Sequence, residues 1–180
     1  INIIKKQAKE AAYISNIAGS ISVSKFGTNP VSNREIELLL NSKSEESYHF
    51  ELNDLKSKGK KIVFTNGCFD LLHKGHIDLL TKSKSFGNIL VVGLNSDKSV
   101  KKIKGDNRPI IDQETRKKTL LSLGFIDFVL TFDDETPARL ISKIKPDVLV
   151  KGGDYKINEI VGSKTVLNNG WRVEIVKILD

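Results

Sequence analysis

From Lys60 onward, short apolar runs alternate with helix-like segments, and this rhythm constrains the fold more than any other feature of the sequence. The five runs read KIVFTN, NILVVGLN, DFVLTF, DVLVK and RVEIVKI, with little in-and-out alternation. Such strands are covered on both faces of a sheet, and intervening helices provide right-handed crossovers between parallel neighbours. The pattern predicts an α/β fold with a doubly wound, five-stranded parallel sheet, which binds ligands at the carboxyl ends of its strands.

Four helices are predicted between these strands. They begin after Gly75, span 112–123, start at Pro137 and lie near 159–168. Thr136 is a good N-cap residue, and the proline after it suits the first helical position.

Upstream of Lys60 the pattern changes. Apolar residues at helical spacing predict a helix over 5–23, and Ser32 with Glu35 forms a capping box before a second helix. Residues 42–59 are rich in Ser, Lys, Glu and Asn, which indicates a solvated linker. We therefore predict a helical segment over 1–41, a linker over 42–59 and an α/β domain over 60–180.

Composition narrows the classes of protein. The longest aliphatic run, ILVVGL, is far below the roughly 18 residues that span a bilayer, and residues 1–9 lack a signal-peptide pattern. A single cysteine, Cys68, excludes an internal disulfide, which favours a reducing compartment and hence the cytoplasm. The net charge of +7 favours anionic ligands such as nucleotides, sugar phosphates or nucleic acid.

The stretch TNGCFDLLHKGHIDLL follows the first predicted strand and carries two of the three histidines. If Gly75 starts the helix, His73 and His76 both lie at its N-terminus, where free amides and the helix dipole favour an anion. Asn66 and Gly67 allow a sharp turn off the strand. Two imidazoles there could stabilise charge on a phosphate in a transition state without covalent catalysis.

Two simpler interpretations of the histidine pair are a surface turn and a metal site. Zinc would need further ligands, but the remaining histidine, His49, falls in the predicted linker. The position after the first strand of a parallel sheet favours phosphate binding instead.

GCFDLLHKGH matches the G-x-F-D-x-x-H-x-G-H signature of the HxGH nucleotidyltransferase superfamily, whose fold is Rossmann-like. Members transfer a nucleoside monophosphate to a phosphate and release pyrophosphate. NSDKSVKKIKG, RPIIDQETRKKTLLSL, DFVLTFDDETPARLI and PDVLVKGGDY followed by IVGS resemble the adenylyltransferase domain of bifunctional ADP-heptose synthases, over nearly all of 60–180. AAYISNIAGSISVSKFGTNPVS resembles the last helices of their ribokinase-like heptose-7-phosphate kinase domain.

The resemblance implies transfer of AMP from ATP to D-glycero-β-D-manno-heptose 1-phosphate, giving ADP-heptose and pyrophosphate for lipopolysaccharide core biosynthesis. Mg²⁺ would be held mainly by substrate phosphates, with no dedicated protein metal site. The implied partner is a kinase domain upstream in the same polypeptide, without nucleic acid or membrane, and a homodimer is left open. The kinase's catalytic Asp is expected before Ile1, and the superfamily's Ser-Thr-Thr segment after Asp180.

By the same resemblance, His73 and His76 would bind the phosphates around the scissile bond, and Lys104 would be a cation on a mobile loop. Asp70 would lie near the acceptor or orient its loop. The other implied nucleotide- or substrate-binding residues are Thr65, Asn66, Gly67, Cys68, Phe69, Gly75, Asn95, Asp97, Arg116, Lys151, Gly152, Gly153 and Asp154.

Several of these residues have plainer explanations. Lys104 and Arg116 could belong to solvated basic faces, and Asp97 could cap a helix. The paired glycines after Lys151 could form a simple turn, and Cys68 could be a small filler.

Three alternative functions stay open. The acceptor could be glycerol 3-phosphate, with CTP as donor, or FMN, although VKGGDY followed by IVGS favours the heptose branch. A non-catalytic nucleotide-binding or nucleic-acid-binding module is the third. Only 7% of residues are aromatic and the basic residues are dispersed, which argues against nucleic acid.

Overall fold

The computed structural model describes Ser15 and residues 45–177 of the chain. From His49 onward the residues belong to one compact unit. In chain order the elements are α1 (Glu45–Ser57), β1 (Ile62–Gly67), α2 (Lys74–Ser85), β2 (Ile89–Asn95), α3 (Asp97–Lys104), α4 (Gln113–Leu121), β3 (Phe128–Phe132), α5 (Ala138–Ile144), β4 (Val148–Gly152), a 3₁₀ helix (Ile157–Glu159), α6 (Ser163–Asn168) and β5 (Arg172–Val176).

The strands form one parallel sheet in the order β3-β2-β1-β4-β5. The central strand β1 pairs with β2 from Ile62 opposite Ile89 to Gly67 opposite Leu94. The chain moves outward from β1 to β3 and then crosses back to β4 on the other side of β1. The predicted doubly wound, Rossmann-like sheet is confirmed, and the reversal creates a crevice at the carboxyl end of β1.

The core lies on both faces of this sheet, which explains the continuous apolar runs. Alternate strand residues such as Val63 and Val92 pack in one buried cluster with Leu80 of α2 and Leu120 of α4. The intervening strand residues are buried as well. Because both faces are used inside the sheet, the polar side chains that carry chemistry are restricted to the strand ends.

The segment predicted as a solvated linker contains the helix α1, which spans most of 42–59. Leu52 is buried. Lys56 Nζ donates to Ile144 O over 2.7 Å and also to Lys145 O, at the C-terminus of α5, and lies 5.5 Å from the Trp171 ring centroid. Few of the helix residues are apolar, which is why composition suggested a linker. The division of the chain into domains stays a prediction.

Other element boundaries also differ from the prediction. The helix α3 was missed because Val100 and Ile103 are its only apolar residues. The helix expected at 159–168 starts at Ser163, since Gly162 adopts a φ of 86°. Thr136 is not the cap of α5, because the helix begins one residue later and Pro137 occupies the cap position. The helix predicted over 112–123 spans Gln113–Leu121, and Asp112 is its N-cap residue.

The helices predicted over 5–23 and from Ser32 lie outside the described residues, apart from Ser15, which is helical. Within the described part of the chain, no helix combines the length and hydrophobicity needed to cross a bilayer.

Lys56→Met should lower the free energy of unfolding by about 1.5–3 kcal/mol, because an ammonium that donates to two helix-terminal carbonyls is lost. Urea unfolding followed by circular dichroism measures the change. Lys58→Met in the same helix is the matched control: it removes an exposed pair with Asp54 and should cost no more than about 0.5 kcal/mol. Equal effects of the two substitutions would show that Lys56 does not anchor α1.

Candidate active site

The loop after β1 is shaped by a glycine and an aromatic residue. Phe69 has a φ of 46°, which turns the chain sharply, and its buried ring folds back over Gly67. A Cβ at Gly67 would lie 3.0 Å from that ring. The ring centroid of Phe69 is 5.3 Å from that of His76. The glycine therefore makes room for the ring, and the ring supports the histidine.

The two histidines lie together at the start of α2. His73 is the N-cap residue, and His76 follows in the first turn, with the two ring centroids 3.9 Å apart. Gly75, which lies between the two histidines in the sequence, is buried. The predicted proximity of the imidazoles at a helix N-terminus is confirmed; their role in phosphate binding stays a prediction.

The surroundings of His76 oppose its protonation. Burial lowers the pKa of His76 below its usual value, and the nearby charges of His73 and Lys104 act in the same direction. The Nδ1 atom of His76 is buried and makes no hydrogen bond within residues 45–177. Lys104, the last residue of α3, is thus near enough to His76 for its charge to act on that imidazole.

Asp70 fixes the loop to the segment before α4. Its buried carboxylate accepts hydrogen bonds from the backbone N–H groups of Ile110 (2.8 Å) and Ile111 (3.0 Å), and pairs with Arg108 at 2.7 Å. Burial alone would raise the pKa of Asp70, but these hydrogen bonds outweigh it and hold the pKa below its usual value. Of the two roles expected for Asp70, the structure shows orientation of the loop.

Arg116 is buried and hydrogen-bonded to four groups, so it does not belong to a solvated basic face. Its guanidinium donates to the backbone oxygens of Ile111 (2.8 Å), Cys68 (2.6 Å) and Asn95 (2.9 Å), and to the Asp97 carboxylate at 2.7 Å. The side chain is 1% exposed. Arg116 therefore offers no surface to a ligand and instead ties the β1 loop to the end of β2.

Asp97 does not cap α3. Ser96 is the N-cap residue, and its hydroxyl accepts from Ser99 N at 3.1 Å. Asp97 begins the helix and pairs with Arg116. Since Lys104 ends the same helix, this ion pair also helps to position that lysine.

A cavity of about 380 Å³ opens at the carboxyl ends of the strands, next to the β1 loop. It is bordered by five of the predicted site residues, Asn66, Gly67, Cys68, Asn95 and Lys151. The Lys151 ammonium lies 3.3 Å from Asn66 Oδ1. Half-buried Cys68 lines this cavity.

The remaining predicted site residues differ in position and in burial. Lys151 and Gly152 are the last residues of β4, Gly153 follows with a φ of 118°, and Asp154 is exposed. Thr65 is fully buried inside the sheet, and the backbone contact with nucleotide or acceptor that the resemblance implies for it stays a prediction. The structure thus brings the β1 loop, the β2 end and the β4 end together at one edge.

Several residues of this edge were missed from the sequence. Arg108 holds Asp70, while Glu135, Thr136, Tyr155 and Glu159 line the cavity. The signal available was position: residues that follow β3 and β4 meet the β1 loop at the same sheet edge. Within residues 45–177 no cluster of three or more His, Cys, Asp or Glu side chains could hold a metal ion.

Comparison with known families agrees with this geometry. The Cytidylyltransferase-like family model matches residues 64–174, from β1 into β5. The chain belongs to that family. The match includes the histidine pair and the cavity residues at the carboxyl ends of the strands.

Comparison with individual proteins identifies relatives that are more similar to this chain than the family model alone shows. "Bifunctional protein HldE" of Campylobacter concisus is 51% identical over 166 residues, covering 88% of this chain and 35% of the relative. The HldE protein of Citrifermentans bemidjiense is 46% identical over 180 residues, covering 95% of this chain and 37% of the relative. The chain thus spans little more than a third of these relatives.

Two solved structures share the fold. A lipopolysaccharide core biosynthesis protein from Thermoplasma volcanium has a TM-score of 0.55 and 31% identity, covering 68% of this chain and 98% of that one. Pantoate-beta-alanine ligase from Francisella tularensis, complexed with an ATP compound and beta-alanine, has a TM-score of 0.51 and 17% identity, covering 73% and 64%. The second likeness concerns the fold alone.

Arg116→Met should lower the free energy of unfolding by about 3 kcal/mol, because buried carbonyls and a carboxylate lose their donor. Chemical denaturation measures the loss. Lys118→Met, on the exposed face of the same helix, should change stability by less than about 0.5 kcal/mol. An unchanged free energy of unfolding in Arg116→Met would contradict the conclusion that these contacts hold the site together.

His73→Asn should raise the pKa of His76, because a neighbouring positive charge disappears. In the variant, His76 therefore keeps its proton to a higher pH, which an NMR titration of its imidazole signals would measure. Lys104→Gln should shift the pKa in the same direction by a smaller amount. A fall in the His76 pKa in either variant would show that charge repulsion is not part of the cause.

Proposed function

We propose that the chain transfers AMP from ATP to D-glycero-β-D-manno-heptose 1-phosphate, releasing pyrophosphate and forming ADP-heptose for the lipopolysaccharide core. The observation that carries the proposal is the close histidine pair at the N-terminus of α2, with ring centroids 3.9 Å apart and the charge of Lys104 acting on His76. Its family membership, the identity to bifunctional HldE proteins and the likeness to a lipopolysaccharide core biosynthesis protein support the same reaction.

In this reaction an oxygen of the acceptor phosphate attacks the α-phosphorus of ATP. The bond from that phosphorus to the bridging oxygen breaks, and pyrophosphate leaves with the bonding electrons. His73, His76 and the first amides of α2 would donate hydrogen bonds to the phosphate oxygens as their charge develops. No side chain forms a covalent bond with the substrate.

Lys104 would contribute a point charge to the same phosphates from the end of α3. The Arg116–Asp97 pair and the Asp70 contacts hold α3, the loop and α4 in one arrangement before substrate arrives. Such preorganisation matters because reorienting donors during the reaction would cost free energy.

Several further parts of the proposal concern cofactor, partners and location. Mg²⁺ is expected to enter with ATP, bound mainly by phosphate oxygens, as suits a cation that keeps water and phosphate ligands. A heptose 7-phosphate kinase domain is proposed in the same polypeptide, because the relatives are bifunctional and much longer. We place the protein in the cytoplasm.

Pyrophosphate release in the presence of ATP and heptose 1-phosphate tests the reaction directly. Parallel assays with CTP and glycerol 3-phosphate, and with ATP and FMN, test the two alternative acceptors. ATP binding without turnover on any of these acceptors would favour a non-catalytic nucleotide-binding module.

His76→Ala should reduce turnover about 100- to 1,000-fold, because one preorganised donor to the developing charge is lost. His73→Ala should act similarly, and the double variant should lose less than the product of the two effects if both groups bind one phosphate group. Steady-state kinetics measure the loss, with circular dichroism as a control for folding. Near-normal turnover in a folded His76→Ala protein would disprove the assignment.

A further inference from the structure

The cavity beside Lys151 is distinct from the histidine pair, although the two adjoin. Gly67 and Cys68 border the cavity and lead into the histidine loop, but none of His73, His76 and Lys104 lines it. A group bound in the cavity would therefore contact the β1 loop next to the phosphates held at α2. This is the position from which a second substrate could present an oxygen to the α-phosphorus.

The cavity lining has a mixed chemistry. It combines one ammonium group (Lys151), two carboxylates (Glu135 and Glu159) and two amides (Asn66 and Asn95) with apolar and aromatic walls. Carboxylates accept hydrogen bonds from hydroxyl groups, and amides both donate and accept them. The hydroxyl groups of a sugar can donate hydrogen bonds to these carboxylates and both donate to and accept from these amides.

Lys151 is the single cation of this lining, and its ammonium is poorly compensated. Within the described residues its only hydrogen bond is the 3.3 Å contact with Asn66, and it forms no ion pair there. Burial lowers its pKa, so the folded protein bears a cost for keeping it charged. An anionic oxygen from a ligand would supply the missing partner.

Tyr155 forms a wall of the same cavity. Gly153 has a φ of 118°, and a Cβ there would lie 3.1 Å from the tyrosine ring. A side chain at this position would therefore push the ring away. Gly153 thus acts beyond a simple turn, because its lack of a side chain leaves room for the aromatic ring.

We propose that this cavity binds the sugar phosphate acceptor, with Lys151 Nζ binding its phosphate and Glu135 accepting hydrogen bonds from its ring hydroxyls. The inference rests on the proposed function, which it deepens by giving the acceptor a site separate from that of the ATP phosphates. Lys151 would then determine acceptor binding without determining ATP binding.

Calorimetry on the full chain tests this with two titrations: ATP with Mg²⁺ alone, and heptose 1-phosphate in the presence of a non-hydrolysable ATP analogue. Lys151→Met should weaken sugar phosphate binding at least about tenfold, the loss expected for a charge-assisted hydrogen bond. Its ATP dissociation constant should stay within about twofold of the wild type. Lys164→Met, an exposed lysine on α6, should change neither constant.

Glu135→Gln tests the contact with the ring hydroxyls separately from the contact with the phosphate. It also tests the proposal if Lys151→Met does not fold. It should weaken binding of the sugar phosphate but not of inorganic phosphate, which has no ring hydroxyls. Unchanged sugar phosphate affinity in Glu135→Gln, or ATP weakened instead of the acceptor in Lys151→Met, would overturn the proposal.

These titrations do not depend on turnover. If the wild type binds the sugar phosphate in a Lys151-dependent manner but releases no pyrophosphate, the acceptor site stands and the proposed reaction fails. If pyrophosphate is released normally while Lys151→Met binds and uses the acceptor like the wild type, the reaction stands and the acceptor site fails.

Discussion

The buried guanidinium of Arg116 is the interaction on which the arrangement of the candidate site depends. It joins three parts of the chain that are distant in sequence: the loop after β1, the end of β2 and the start of α3. A guanidinium is suited to this because its donors lie in one plane in a fixed fork, while a lysine in the same place would offer a single point charge. The polar loop is therefore held by a rigid group inside an otherwise apolar region.

A second constraint acts within the loop itself. Gly67 leaves space for the Phe69 ring, the ring packs against His76, and the positive φ of Phe69 directs the next residue, Asp70, toward the segment before α4. The residues of the G-x-F-D part of the signature thus form a chain of steric and polar contacts. The close approach of the two histidine rings therefore depends on this support as well as on their spacing in the sequence.

The sequence allowed the sheet and the histidine site to be predicted, since both depend on local pattern: apolar runs for the strands, and two histidines three residues apart at a helix start. It did not allow α3 to be predicted, because Val100 and Ile103 alone carry its apolar periodicity. Arg116 could not be told from its neighbours Lys117 and Lys118, because burial of a charged residue depends on carbonyls that arrive from distant segments. Glu135, Tyr155 and Glu159 of the cavity lining were missed for the same reason, since they meet the β1 loop only in the folded chain.

Proton binding at His76 and anion binding beside it are expected to be interdependent. Burial, and after it the charges of His73 and Lys104, lower the pKa of His76. A phosphate bound against the pair would compensate that charge, so the same imidazole would gain affinity for a proton as the anion arrives. By thermodynamic linkage each binding event then strengthens the other. If an anion binds beside His76, its binding is therefore expected to be accompanied by uptake of a proton, so that the affinity of this position for phosphate depends on pH.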